Sequence, residues 1–97
     1  MNIVIVGTGY VGLVSGVGFA EQGHKVSFID LDIDKIQNLK NKQLPFFEPE
    51  LDHYFEKDEN FSRMSFHSSY ESIDWQLIDI VFICVQTPNN LETNSVD

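Results

Sequence analysis

The segment "NIVIVGTGYVGLVSGVGFAEQGHKVSFID", residues 2–30, sets an apolar run, Ile3-Val4-Ile5-Val6, directly against a stretch with glycine at 7, 9, 12 and 16. Consecutive β-branched residues bounded by glycine suit a short parallel strand covered on both faces, over residues 2–6. From about Tyr10 to Gln22 the period changes to that of a helix, with Leu13, Val17 and Ala20 on one side and Gly23 placed to cap its C-terminus. "KVSFI", residues 25–29, then reads as a second strand. Two strands joined through a helix by short connections pair in parallel, with a right-handed crossover.

Four glycines in ten residues weaken a helix, so a second demand must act on this backbone. Gly7-Thr8-Gly9-Tyr10-Val11-Gly12 is a G-x-G-x-x-G that follows a predicted strand and opens a predicted helix, and Asp30 ends the next strand 18 positions after Gly12. That context separates a dinucleotide-binding fingerprint from a chance run of glycines. Gly7 permits the strand-to-helix turn, Gly9 lets a pyrophosphate approach the backbone, and Gly12 lets the helix lie close to the sheet. The helix N-terminus offers unpaired N–H groups and partial positive charge to the phosphates without any lysine. Gly16 and Ala20 extend the small-residue face at i+4 spacing. Asp30 stands where a carboxylate accepts hydrogen bonds from the hydroxyls of an adenosine ribose and repels a 2'-phosphate, which argues for NAD over NADP. Asp32 and Asp34 are better placed than Asp30 to cap the following helix. Lys35, one turn on, is within reach of the same end of the cofactor, or is an ordinary solvated helix lysine.

Beyond Asp30 the alternation continues. Asp32 is a natural N-cap for a helix through Ile33, Ile36 and Leu39 to about Lys42. Pro49 suits the first turn of a short helix with Leu51, Tyr54 and Phe55 on its apolar side. Residues 63–67 form a weaker strand, "SYESIDWQL" reads as helical through Tyr70, Ile73 and Leu77, and "DIVFICV", residues 79–85, is the last strand. Alternating strands and helices define an α/β fold, a partial Rossmann-like doubly wound parallel sheet equivalent to its N-terminal βαβαβ half.

Composition narrows the function. Six Lys and Arg against fifteen Asp and Glu give a formal charge of -9, which repels nucleic-acid phosphates and anionic membranes. No run approaches the roughly 18 apolar residues of a membrane span, and the N-terminal apolar run lacks the basic flank and cleavage site of a signal peptide. The single cysteine, Cys84, excludes an internal disulfide framework and makes the cytoplasm the expected location. Inside an apolar strand, with no His or Lys beside it, Cys84 reads as a packing residue. His24, His53 and His67 have no metal-ligand spacing and read as turn or surface residues. Phe46, Phe47, Tyr54 and Phe55 are expected in core or interface packing, and the acidic surplus on a solvated surface.

Three stretches, "GTGYVGLVSG" at 7–16, "LPFFEPEL" at 44–51 and "VFICVQTP" at 81–88, resemble in order and spacing the nucleotide-sugar dehydrogenase family that acts on UDP-glucose and GDP-mannose. The P-x-x-E-P-x-L block is more diagnostic than the glycine fingerprint, and the first stretch looks most like the UDP-glucose members. The resemblance implies an NAD-dependent enzyme that oxidises a sugar's primary alcohol to a carboxylate by two hydride transfers. It implies that Val11, Asp30 and Lys35 contact the adenosine half of NAD, that Thr87 and Pro88 border the cofactor beyond the last strand, and that the complete enzyme takes a nucleotide-sugar substrate and forms a homo-oligomer. Glu50 departs from the family's E-P-G-L, where glycine is usual; just after Pro49 it can occupy a helix first turn.

Family members are several times longer, and their thiol nucleophile, assisting lysine and most sugar contacts lie in segments outside these 97 residues. Residues 1–97 are therefore expected to be part of an NAD-binding domain, inactive alone, with no catalytic residue of its own. Another nucleotide-sugar dehydrogenase, or a free-standing nucleotide-binding module without catalysis, are the competing readings. If the 79–85 strand is a sheet edge, it invites self-association.

Overall fold

A computed structural model describes residues 1–85. The central strand β1 (Asn2–Val6) is flanked by β2 (Lys25–Ile29) and β4 (Ile80–Ile83), and β3 (Met64–His67) lies outside β2, giving the order β3-β2-β1-β4 with every pair parallel. The registers match Ile5 to Phe28 and Phe82, and Phe28 to Phe66. The expected parallel α/β sheet is thus present. β1 and β2 keep the bounds read from the sequence, whereas β3, starting at Met64, and β4, running only from Ile80 to Ile83, are shorter than the pattern suggests.

Side-chain alternation along β1 divides the core. Ile3 and Ile5 join a large cluster built on α1 (Tyr10–Glu21), α2 (Ile33–Lys40), α3 (Pro49–Glu56) and β2, with Phe28 and Phe55 fully buried. Burying one such aromatic contributes about 1.5–3 kcal/mol. Val4 and Val6 face the other way, against Ile29, Ile73 and Ile78. That second layer is thin. The helix expected through Tyr70, Ile73 and Leu77 is replaced by two single 3₁₀ turns, Tyr70–Ser72 and Trp75–Leu77, because between them Ile73 is extended and Asp74, with ψ of 89°, is not helical either. Ile73 reaches the sheet from this extended backbone, and Ser and Asp side chains favour such turns over a helix interior.

α1 is held by packing rather than propensity. A Cβ on Gly16 would lie 2.3 Å from the Phe28 ring, and one on Gly12 would lie 2.0 Å from the Gly7 carbonyl oxygen. At its C-terminus Gly23, with φ of +101°, donates to Ala20 while His24 donates to Phe19, the paired bonds of a Schellman cap. α2 is capped by Asp32, which accepts from the Lys35 N–H at 3.1 Å, and ends at Lys40, short of Lys42, which sits at φ of 63°. Glu48 caps α3 by accepting from the Leu51 N–H at 3.0 Å, with Pro49 at the first helical position. The E-P pair is therefore a cap followed by a helix-starting proline, and Glu50 lies in the first turn as anticipated.

A four-residue helix absent from the sequence reading, α4 (Asp58–Phe61), follows. It places the fully buried Asn60 amide to donate to the Tyr54 carbonyl at 3.0 Å and to Glu21 at 2.6 Å. Arg63 donates to the Ala20 carbonyl at the C-terminal end of α1 at 3.1 Å, a favourable place for a cation. Phe55 and Phe46 pack in or against the main core as expected, whereas Phe47 is 83% exposed and does not.

Candidate functional site

The first two crossovers, β1 to β2 and β2 to β3, run outward on one side of β1, and β4 lies on the other. The strand order reverses between β1 and β4, and in open α/β sheets ligands bind in the crevice beyond the carboxyl ends at that point. There the chain opens a cleft of about 280 Å³, with Gly7, Thr8 and Gly9 from the β1 turn, Asp30 and Lys35 from the end of β2 and α2, and Cys84 and Val85 beyond β4. A larger hollow, about 340 Å³, lies under the 3₁₀ segment among the amino-terminal halves of β2 and β3. It is the gap left by the thin second layer and shares none of the glycine loop.

Gly7 makes the turn with φ of +103°, a conformation that a side chain disfavours, and a Cβ there would also meet the Cys84 carbonyl at 2.7 Å. A Cβ on Gly9, by contrast, meets nothing within 4 Å. Space therefore opens in front of Gly9, while Gly7 and Gly12 are closed in by backbone. Gly9 is the N-cap of α1 and no side chain caps it, so the first-turn N–H groups of Tyr10, Val11 and Gly12 lack intrahelical acceptors. Tyr10 and Val11 are 55% and 64% exposed at this end, Tyr10 resting on Phe46 at 5.3 Å between ring centres.

Asp30 is the charged counterpart. Its Oδ2 accepts from the Thr8 N–H at 2.9 Å and the Thr8 hydroxyl at 2.6 Å, and its Oδ1 from the Asp32 N–H at 3.0 Å. Lys35 Nζ stands 3.8 Å from Oδ2. Partial burial pushes the Asp30 carboxyl up, but the Thr8 and Asp32 hydrogen bonds and Lys35 outweigh it and hold the group below the usual carboxylate range. A carboxylate offers about four acceptor positions. Three are taken, and the one left is on Oδ1.

The structure thus brings Gly7, Thr8, Gly9, Tyr10, Val11, Gly12, Asp30 and Lys35 to one end of the sheet. Thr87 and Pro88 lie outside the described residues. Sequence reasoning missed the role of Thr8, a fully buried side chain that ties the glycine loop to Asp30. It also missed Leu31 and Tyr70 in the cleft wall; each follows a strand's carboxyl end, the signal that singled out Asp30. Cys84 packs against the main core but lies past the end of β4, at the cleft. His67 is part of β3 rather than a turn, its ring nitrogens 2.8 Å from the Ser72 and Ser65 hydroxyls. Among the described residues no three His, Cys, Asp or Glu side chains converge on a metal position, and no helix is long and apolar enough to cross a membrane.

The open loop, the uncapped helix start and the carboxylate one strand away fit a dinucleotide, and comparison with known proteins agrees. The chain is 47% identical over 88 residues to the UDP-glucose 6-dehydrogenase YwqF of Bacillus subtilis (strain 168), covering 91% of this chain and 20% of the relative. It is 45% identical over 89 residues to the UDP-glucose 6-dehydrogenase of Rhizobium meliloti (strain 1021), covering 92% and 20%. The chain therefore spans about a fifth of the length of these relatives. Among solved structures it superposes on a GDP-mannose dehydrogenase from Pseudomonas aeruginosa with a TM-score of 0.82 at 30% identity, over 95% of this chain and 21% of the other. A UDP-glucose dehydrogenase from Pyrobaculum islandicum gives 0.79 at 32% identity, over 92% and 20%. The family model described as the NAD binding domain of the UDP-glucose/GDP-mannose dehydrogenase family matches residues 1–97. By its sheet order, its glycine turn and this match, the chain belongs to that family's NAD-binding domain, and NAD is its cofactor.

Proposed function

We propose that residues 1–97 form part of the NAD-binding domain of a cytoplasmic, homo-oligomeric enzyme that oxidises UDP-glucose to UDP-glucuronate, and that the chain alone binds NAD without turnover. The observation that carries the binding reading is the single cleft shared by the open Gly9 backbone, the uncapped start of α1 and Asp30. In this reading the N–H groups of α1 and the glycine loop hold the pyrophosphate. The free Oδ1 position of Asp30 accepts a ribose hydroxyl, and Lys35, Val11, Thr87 and Pro88 border the cofactor. When bound, NAD supplies a hydride acceptor. Sequence identity to UDP-glucose 6-dehydrogenases supports the substrate. The superposition on a GDP-mannose dehydrogenase supports GDP-mannose as the second reading.

Calorimetric titration tests the binding. NAD binds, NADP binds at least about tenfold more weakly because its 2'-phosphate meets the Asp30 charge, and Asp30→Ala loses NAD affinity. Equal affinities for both cofactors would remove Asp30 from the ribose site. NADH formation from UDP-glucose by the purified chain would refute inactivity. The coding sequence beyond Asp97 decides the rest: a continuing frame with a cysteine nucleophile supports the dehydrogenase, and a stop codon supports a free-standing binding module.

A further inference from the structure

The sheet order lays the carboxyl ends side by side, so that the β1 turn, Asp30 and the residues after β3 form a row running away from the β1–β4 crevice. The ends of β2 and β3 stay joined up to the cleft, the Asp30 N–H donating to the His67 carbonyl at 3.0 Å. Three residues past His67, Tyr70 lines the same cleft as Gly9 and Asp30. The residue is 46% exposed, yet the turn that carries it is fixed. Ser69 accepts from the Glu71 N–H at 3.1 Å, and the Tyr70 carbonyl accepts from the Trp75 indole at 3.1 Å and from the Ile73 N–H at 3.3 Å. The Trp75 ring stacks on Tyr70 with 26° between planes and 6.3 Å between centres. An exposed aromatic ring held this firmly, on a turn with no buried residue of its own, loses little side-chain freedom when a flat ligand stacks on it.

We propose that Tyr70 is the aromatic wall for the adenine base of the bound dinucleotide, a role that rests on the reading of the glycine loop and Asp30 as its pyrophosphate and ribose contacts. If the pyrophosphate lies at the end of β1 and the adenosine ribose at the end of β2, the base continues toward β3, where Tyr70 stands. The nicotinamide half extends the opposite way, past Cys84 and Val85. Leu31, 72% exposed directly after Asp30, adds apolar surface to the same part of the cleft.

Trp75 is the chain's sole tryptophan, so its emission reports on the Tyr70 ring. ADP-ribose changes that emission and inorganic pyrophosphate, which reaches only the glycine loop, does not; equal responses would overturn the proposal without any variant. Calorimetry on variants whose circular dichroism matches the parent then measures affinity. Tyr70→Phe binds NAD within about twofold of the parent, whereas Tyr70→Ala weakens NAD and ADP-ribose alike by about tenfold, the size expected for one base–aromatic stack. Unchanged affinity in Tyr70→Ala, or a loss for NAD but not for ADP-ribose, overturns the assignment. If Asp30→Ala weakens binding while Tyr70→Ala leaves it unchanged, only the role of Tyr70 fails. A parent chain that binds neither ligand defeats both readings.

Discussion

Asp30 and Thr8 form one device. The buried Thr8 hydroxyl and N–H both donate to the same Asp30 oxygen, which keeps the carboxylate ionised despite its burial and ties the glycine loop to the end of β2. Thr8→Val keeps the shape and removes the hydroxyl. We expect about 1 kcal/mol of lost stability in urea unfolding, and an NMR titration of Asp30 that moves up toward the ordinary carboxylate range. An unmoved Asp30 titration would show that the hydroxyl bond does not hold it. Asp30 was legible in the sequence because its position at a strand end carries the meaning. Thr8 was not, because the fingerprint leaves that position open and the partner that explains it lies 22 residues away.

At the level of elements, legibility followed how local the cause was. α1, α2 and α3 announce themselves by caps and period, since Gly23, Asp32 and Pro49 act within one turn of where they stand. The failed helix over 69–77 has a non-local cause: Ile73 is drawn under Val4, Val6 and Ile29, and tertiary packing overrides the apolar spacing. α4 was equally hidden, since its purpose is the Asn60 amide that joins it to α1 and α3. Asn60→Ala leaves the Tyr54 carbonyl and Glu21 without that donor and is expected to cost about 1–3 kcal/mol. Denaturant unfolding checks this, and in the same variant the Glu21 carboxyl, held below the usual range first by its bond from Asn60, should titrate higher.

For the whole molecule, two groups of side chains set a two-stage response to acid. Burial and the nearby Lys40 charge hold His67 below its ordinary 6.5, so the folded chain refuses a proton that the unfolded chain accepts. Stability therefore falls as pH drops below about 6.5 and levels off below the folded pKa of His67. Asp30, Glu21 and Asp58 are lowered instead. Their contribution is complete above the ordinary carboxylate range and is lost as pH falls through their folded values. Thermal melts across pH should show both stages, and His67→Gln should erase the upper one alone. At the rim, β4 is an edge among the described residues, with Ile83 67% exposed. Unpaired apolar edges pair with one another. Sedimentation should show concentration-dependent association of the chain, reduced by Ile83→Lys.

The pairing of β1 with β4 also orders the events of synthesis. Asn2 and Asp79, joined by a 2.8 Å hydrogen bond, are 77 positions apart, whereas β1 meets β2 after a single helix. A nascent chain emerging from the ribosome can close the β1-α1-β2 loop early, yet its central strand keeps one open side until the last described strand arrives. A chain stalled short of Asp79 thus presents β1 itself as the adhesive rim, and a chaperone that shields strand edges would have its longest engagement with the first residues made.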